Sequence, residues 1–187
     1  MTVEIASGFA ELLRGRRTIH RFRPDPLPEA ALERALEAAT WAPNHGLTEP
    51  WRFYLPGPDT ATALVDLNTR LVAASAGAER ALEKQSLWRA VPRWLVLTCL
   101  RSNDPLRARE DYAACACAAQ NLALALWSDG IGMKWTTGPV TRTQAFRDLM
   151  WIDGDVEEVV GLMMLGYPEE VPAVGRRPVA ECRVTLP

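Results

Sequence analysis

Residues 94–100 read Trp94-Leu95-Val96-Leu97-Thr98-Cys99-Leu100, and residues 108–128 read AREDYAACACAAQNLALALWS. The first stretch is a continuous apolar run of strand length, the pattern of a strand covered on both faces. The second has helical length, carries alanine through its middle and is apolar on nearly every side. A helix of that kind belongs at the centre of something larger than itself. Only a polar loop, Ser102 to Pro105, separates the two. Working outward, Gly130 and Gly132 stop the helix and Met133–Thr137 restarts as a strand. A short helix follows around Thr143–Met150, then a second buried strand, Val159–Leu165, ended by Gly166-Tyr167-Pro168.

Towards the N-terminus, Trp51–Leu55 is a strand closed by Pro56-Gly57-Pro58. Pro28 opens a helix with Leu32, Leu36 and Ala39 as its apolar stripe, and Pro43 marks its end. Ala61–Lys84 reads as one helix, with Leu64, Leu67, Leu71 and Leu82 roughly in phase. Ile5–Arg14 carries Phe9, Leu12 and Leu13 at helical spacing, which predicts a short helix packed on the body. Strands alternating with helices predict an α+β (α/β-like) fold in one domain, residues 1–187. The tail ends in a β-like patch, Cys182–Leu186, and is too polar for core; it suits an arm laid on a neighbouring subunit.

The chain has 187 residues, within the range of roughly 100–200 expected of one domain. At that size a core needs neither disulfides nor metal. A net charge of −2 argues against a nucleic-acid module with a large positive face. Only Lys84 and Lys134 of the 21 basic residues are lysines, a skew that suits anion binding and that coding bias also produces. The longest uncharged run, Tyr112–Ser128, is short of the ~20 residues of a membrane span. Met1–Ile5 lacks the basic-then-apolar pattern of a secretory leader, which predicts a cytoplasmic protein. Cys99, Cys115, Cys117 and Cys182 then read as buried reduced thiols, and the C-x-C pair has no second pair for zinc.

The sequence contains no Walker motif, HExxH or Ser-His-Asp arrangement, and its two histidines exclude a multi-histidine metal site. Gly130-Ile131-Gly132 follows a helix, the wrong context for a dinucleotide-binding turn. One local cluster stands out. Arg16, Arg17, Thr18, His20 and Arg21 place guanidinium, hydroxyl and imidazole donors close together, either a phosphate clamp or a solvated basic face.

Arg16-Arg17-Thr18-Ile19-His20-Arg21-Phe22 resembles the RRSxR-x-F opening of the FMN-dependent nitroreductase family. Ala42-Pro43-Asn44-His45, continuing to Glu49-Pro50-Trp51-Arg52-Phe53, is similar to that family's AP…QPW-x-F segment. The passage from Trp127 to Gly138, and Gly166-Tyr167-Pro168 followed by Arg176-Arg177-Pro178, resemble its helix-to-strand step and its G-x-P and R-x-P ending. The likeness spans about residues 10–180 and is nearest the small, single-domain branch that carries APxH.

That resemblance implies a central mixed β-sheet flanked by helices, a long interface helix, and a homodimer with two FMN sites at the subunit interface. It implies ping-pong hydride transfer from NADH or NADPH to nitro groups, quinones or other conjugated small-molecule acceptors, with no nucleic acid, membrane or metal involved. The flavin does the chemistry and no catalytic side chain is required. By position, Arg16, Arg17 and Thr18 fall on the triplet that holds the phosphate and ribityl oxygens, and His20 on a basic phosphate ligand. Trp41 and His45 fall where residues approach FMN from the partner; Trp135, Thr136 and Thr137 fall on the strand beside the flavin. Arg176, or alternatively Arg177, falls on a late phosphate-binding arginine. Glu49 departs from the usual Gln and turns a donor into an acceptor. Specialised flavin chemistry on the same scaffold, or a flavin-binding redox carrier, are the rival readings.

Overall fold

Residues 94–100 form the twice-covered strand that their composition predicts. The structure is a computed structural model that describes residues 2–187, with side chains from Gly8 onward. Met1 and the side chain of Ile5, both used in the sequence reading, lie outside the described residues. In chain order the main elements are α1 (Thr2–Gly15), α2 (Glu29–Thr40), β1 (Trp51–Tyr54), α3 (Pro58–Ala76) and α4 (Ala78–Arg89). They continue with β2 (Arg93–Leu100), α5 (Pro105–Ser128), β3 (Gly132–Thr136), α6 (Gln144–Met150) and β4 (Glu157–Gly166).

The strands lie in the order β1-β2-β4-β3, every neighbour antiparallel. Thr18 adds a parallel bridge to Met133 on β3, so the sheet is mixed and the class is α+β. Alternation along β2 divides the core in two. Leu95, Leu97 and Cys99 pack with α2 and α5, whereas Trp94 and Val96 pack with Leu64 and Val65 of α3, Trp88 and Phe146. Such burial contributes about 1.5–3 kcal/mol per large apolar side chain, which makes the central strands the rigid base of the molecule. Polar satisfaction closes one end of the sheet. Glu157, buried on β4, accepts hydrogen bonds from Tyr54 OH (2.6 Å), Arg52 Nη1 (3.2 Å) and Thr98 Oγ1, joining three strands.

Three expectations need correction. Ala61–Lys84 is not one helix: Gly77, at φ +85°, breaks it into α3 and α4. Residues 182–186 form no strand; after a turn at Val179–Glu181 they run as exposed chain, with no strand edge paired to them. Cys99 and Cys115 are buried, but Cys117 and Cys182 are exposed. Helix α5 begins at an Asp104 cap that accepts from Leu106 N at 2.9 Å. Its inner face (Ala114, Cys115, Ala118, Ala119, Leu122, Leu126) is buried, while Tyr112, Ala113, Cys117 and Gln120 face outward uncovered. The all-round apolarity of this helix is therefore half satisfied by one chain. No described helix is long and apolar enough to cross a membrane.

Candidate functional site

The basic segment is strapped to the sheet by its alternate residues. Ile19 is fully buried and its N–H donates to Met133 O at 3.2 Å, and Phe22 is buried beside a bridge to Pro168. Gly132 makes that strap possible, since a Cβ there would lie 2.4 Å from Ile19 Cγ1. With Ile19 turned inward, Thr18 and His20 are left exposed, and Arg16 and Arg17 are half-buried.

The charges of this segment then act on one another. Burial, then Arg176, then Arg17 hold the Arg16 pKa below its ordinary value. Arg17 Nη1 donates to Arg16 O at 2.9 Å and to Arg14 O, while its Nε is buried without a partner among the described residues. Within those residues none of Arg16, Arg17 and Arg176 is paired with a carboxylate. Partly desolvated cations lacking a counter-charge are unfavourable, and an anion among them relieves both the repulsion and the orphaned N–H. Arg176, rather than Arg177, is the late arginine that acts on Arg16.

Trp135 stands on β3, half-buried, and its Nε1 donates to Val160 O at 3.1 Å. It lies against Gly161, where a Cβ would fall 2.0 Å from Trp135 Nε1. Gly161→Ala is thus expected to force the indole out and break this hydrogen bond. The cost is about 1–3 kcal/mol, visible as a lowered Tm with a shifted tryptophan emission. An unchanged Tm would mean that Trp135 is held by something else. Thr136 Oγ1 accepts from Gly138 N at 3.3 Å, and Thr137 follows in the exposed turn.

Trp41 and His45 are not brought to this cluster. Trp41 ends α2, 81% exposed, and His45 opens an exposed turn, His45–Leu47. That turn contacts α5 near Asp111, whose carboxylate accepts from Thr48 Oγ1 at 2.5 Å. The arginine segment starts at the other end of α5, where Gly15 abuts Trp127. Between Asp111 and Trp127 the helix rises about 24 Å. Two residues escaped the sequence reading: Thr48 and Asp111. The available signal was Asp111, the last charged residue before the long uncharged, alanine-rich run of the helix. Lys134, on β3 between Met133 and Trp135, is half-buried, and burial and Lys84 lower its pKa.

Comparison with known proteins identifies the family and the fold. The model of the nitroreductase family matches residues 13–167. YfhC of Bacillus subtilis, a protein named for NAD(P)H nitroreductase activity, is 32% identical over 182 residues, covering 94% of this chain and 92% of its own. The crystal structure of a nitroreductase-like family protein from Bacillus cereus superposes with a TM-score of 0.82 at 27% identity, covering 95% of each chain. The fold also matches the FMN-dependent nitroreductase NfnB of Mycobacterium smegmatis, solved with NADPH: TM-score 0.77 at 17% identity, covering 98% of this chain and 100% of that one. These likenesses run through the basic segment, α5 and β3–β4, and the chain belongs to the nitroreductase family.

Proposed function

We propose that this chain is an FMN-dependent oxidoreductase, one domain over residues 1–187, acting as a homodimer with its two flavin sites at the interface. The observation that carries the reading is an Arg17 Nε buried without a partner in a basic segment where Arg16 feels the charge of Arg17 and Arg176 and, among the described residues, none of the three pairs with a carboxylate. That donor set fits a phosphate dianion, which takes several charge-assisted hydrogen bonds at once. Arg16, Arg17 and Arg176 hold the phosphate, Thr18 supplies a hydroxyl donor and His20 stands at the exposed rim. Trp135 and Thr136 of β3, with Thr137 just beyond its end, would lie beside the ring system.

A second copy completes the site. Pairing the open faces of two α5 helices antiparallel about a two-fold axis sets the Asp111 end of one against the Trp127 end of the other. Trp41 and His45 of one protomer then approach the arginine cluster of its partner. The same pairing covers Tyr112, Ala113 and Cys117, and the exposed tail is free to lie on the neighbour. The four free thiols fit a reducing compartment such as the cytoplasm.

The chemistry that FMN supplies when bound is hydride acceptance from NADH or NADPH and reduction of a conjugated acceptor such as a nitro compound or quinone. The chain's part is to fix the phosphate with three guanidinium groups, to seat the ring against Trp135, and to exclude water with the partner's Trp41. Steady-state rates with nitroaromatics, quinones and enones, against both nicotinamides, are expected to give parallel double-reciprocal lines with at least one acceptor. Converging lines with every acceptor would contradict a shared, alternating site.

A further inference from the structure

The turn that carries His45 is held in a backbone conformation its residues do not choose alone. Gly46, Leu47 and Glu49 have φ values of 69°, 51° and 44°. Leucine and glutamate rarely adopt such values, and they persist only where the surroundings over-determine them. Two side-chain arrangements do so here. At the neck, Glu49 N donates to Asn44 Oδ1 at 3.0 Å, and Asn44 Nδ2 donates to Ala42 O at 3.3 Å. At the tip, Thr48 Oγ1 donates to Asp111 Oδ1 at 2.5 Å. Asp111 is 5% exposed, and its other oxygen lies 3.7 Å from Arg107 Nε, a distance that leaves the threonine as its close partner.

A buried carboxylate within a helix is costly unless hydrogen-bonded, and an alanine would fill the place more simply. The capping of α5 does not use it, because Asp104 performs that task. The bond to Thr48 joins the most strained segment of the chain to its longest helix, and His45 stands at the free side of that segment.

We propose that the Thr48–Asp111 hydrogen bond is a latch that holds the 45–49 turn so that His45 is presented to the flavin of the partner. Thr48 and Asp111 are positioning residues that act through His45. The proposal rests on the reading of His45 as a residue that faces flavin, given above. Removing the latch lets the turn relax towards ordinary dihedral angles and withdraws the imidazole.

The test uses Thr48→Val, which keeps the shape and removes the hydroxyl, with Thr48→Ser as rescue and His45→Ala as reference. Thr48→Val is expected to weaken FMN binding to the apo dimer by about tenfold or more, with Thr48→Ser near wild type. In a His45→Ala background, adding Thr48→Val should change FMN affinity no further. The chain has only two histidines, so the His45 imidazole is readily followed by NMR. Its signal, assigned by its loss in His45→Ala, should move on adding FMN to wild type and Thr48→Ser, and stay still in Thr48→Val. Asp111→Asn, which keeps an acceptor, should fall between wild type and Thr48→Val. A Thr48→Val protein that melts earlier but keeps wild-type FMN affinity and His45 response would make the contact merely structural and overturn the latch. Effects of His45→Ala and Thr48→Val that simply add would do the same. Should His45→Ala leave FMN affinity unchanged, the reading of His45 itself fails, and the latch falls with it.

Discussion

Arg16→Ala is expected to weaken FMN far more than riboflavin. Riboflavin has the same ring and ribityl chain but no phosphate, so the ratio of the two losses isolates the phosphate contact. Arg16 is half-buried and feels the positive charge of Arg176 and Arg17, and a phosphate beside it is less screened than at an open surface. Loss of a hydrogen bond to a charged group costs about 1.5–3 kcal/mol, or roughly 10- to 150-fold in FMN affinity. Riboflavin affinity should change less than about threefold. Removing one of three crowded cations also lessens their repulsion in the apo protein, so Arg16→Ala should melt no earlier than wild type. Flavin fluorescence titrations of the apo dimer measure both affinities. Equal weakening of the two ligands would assign Arg16 to the fold.

Cys117→Glu is expected to give a folded monomer that carries no flavin. Cys117 lies on the open face of α5, exposed in a single chain, so the substitution costs an isolated protomer little. Across a two-fold axis each interface receives the new charge twice, in a surface of uncharged residues that includes Tyr112, Ala113 and Gln120. Like charges brought together there cost several kcal/mol, at least about a hundredfold in the dimerisation constant. Light scattering gives the mass, far-ultraviolet circular dichroism the fold, and visible absorbance the yellow oxidised flavin. A dimer that stays yellow would place the interface elsewhere. A folded monomer that holds FMN as tightly as wild type would show that one chain builds the whole site.

The strands were legible because their signal is local. Residues 159–165 are apolar without interruption and 94–100 are so but for Thr98, and a strand covered on both faces demands nearly that. The break at Gly77 was less legible, since Leu71 and Leu82 remain close to helical phase on either side of it. Helical phase says nothing of a single residue at positive φ. The tail was misjudged for a different reason. Val184 and Leu186 alternate as strand residues do, but a strand exists only beside an edge, and one chain offers these residues none.

The candidate site divides along the same line. The family resemblance brought out Arg16, Arg17 and Arg176, residues 160 positions apart that only the fold brings together. It did not bring out Thr48 and Asp111, whose link depends on a tertiary contact between a turn and a helix. No periodicity or charge run marks such a pair. The open stripe on α5 was legible as excess apolarity, and the structure divides that excess into an inner face and an outer one.

The central claim is that the flavin held by these arginines passes reducing equivalents from a nicotinamide to an acceptor. Its most direct measurement is anaerobic absorbance of the FMN-loaded dimer in two steps. Adding NADH or NADPH alone should bleach the flavin band stoichiometrically. After removal of the nicotinamide, adding a nitroaromatic or a quinone should restore the band, with the acceptor reduced in proportion. A flavin band that neither nicotinamide bleaches, in a dimer that binds FMN tightly, would contradict the account and leave a flavin-binding protein without this activity.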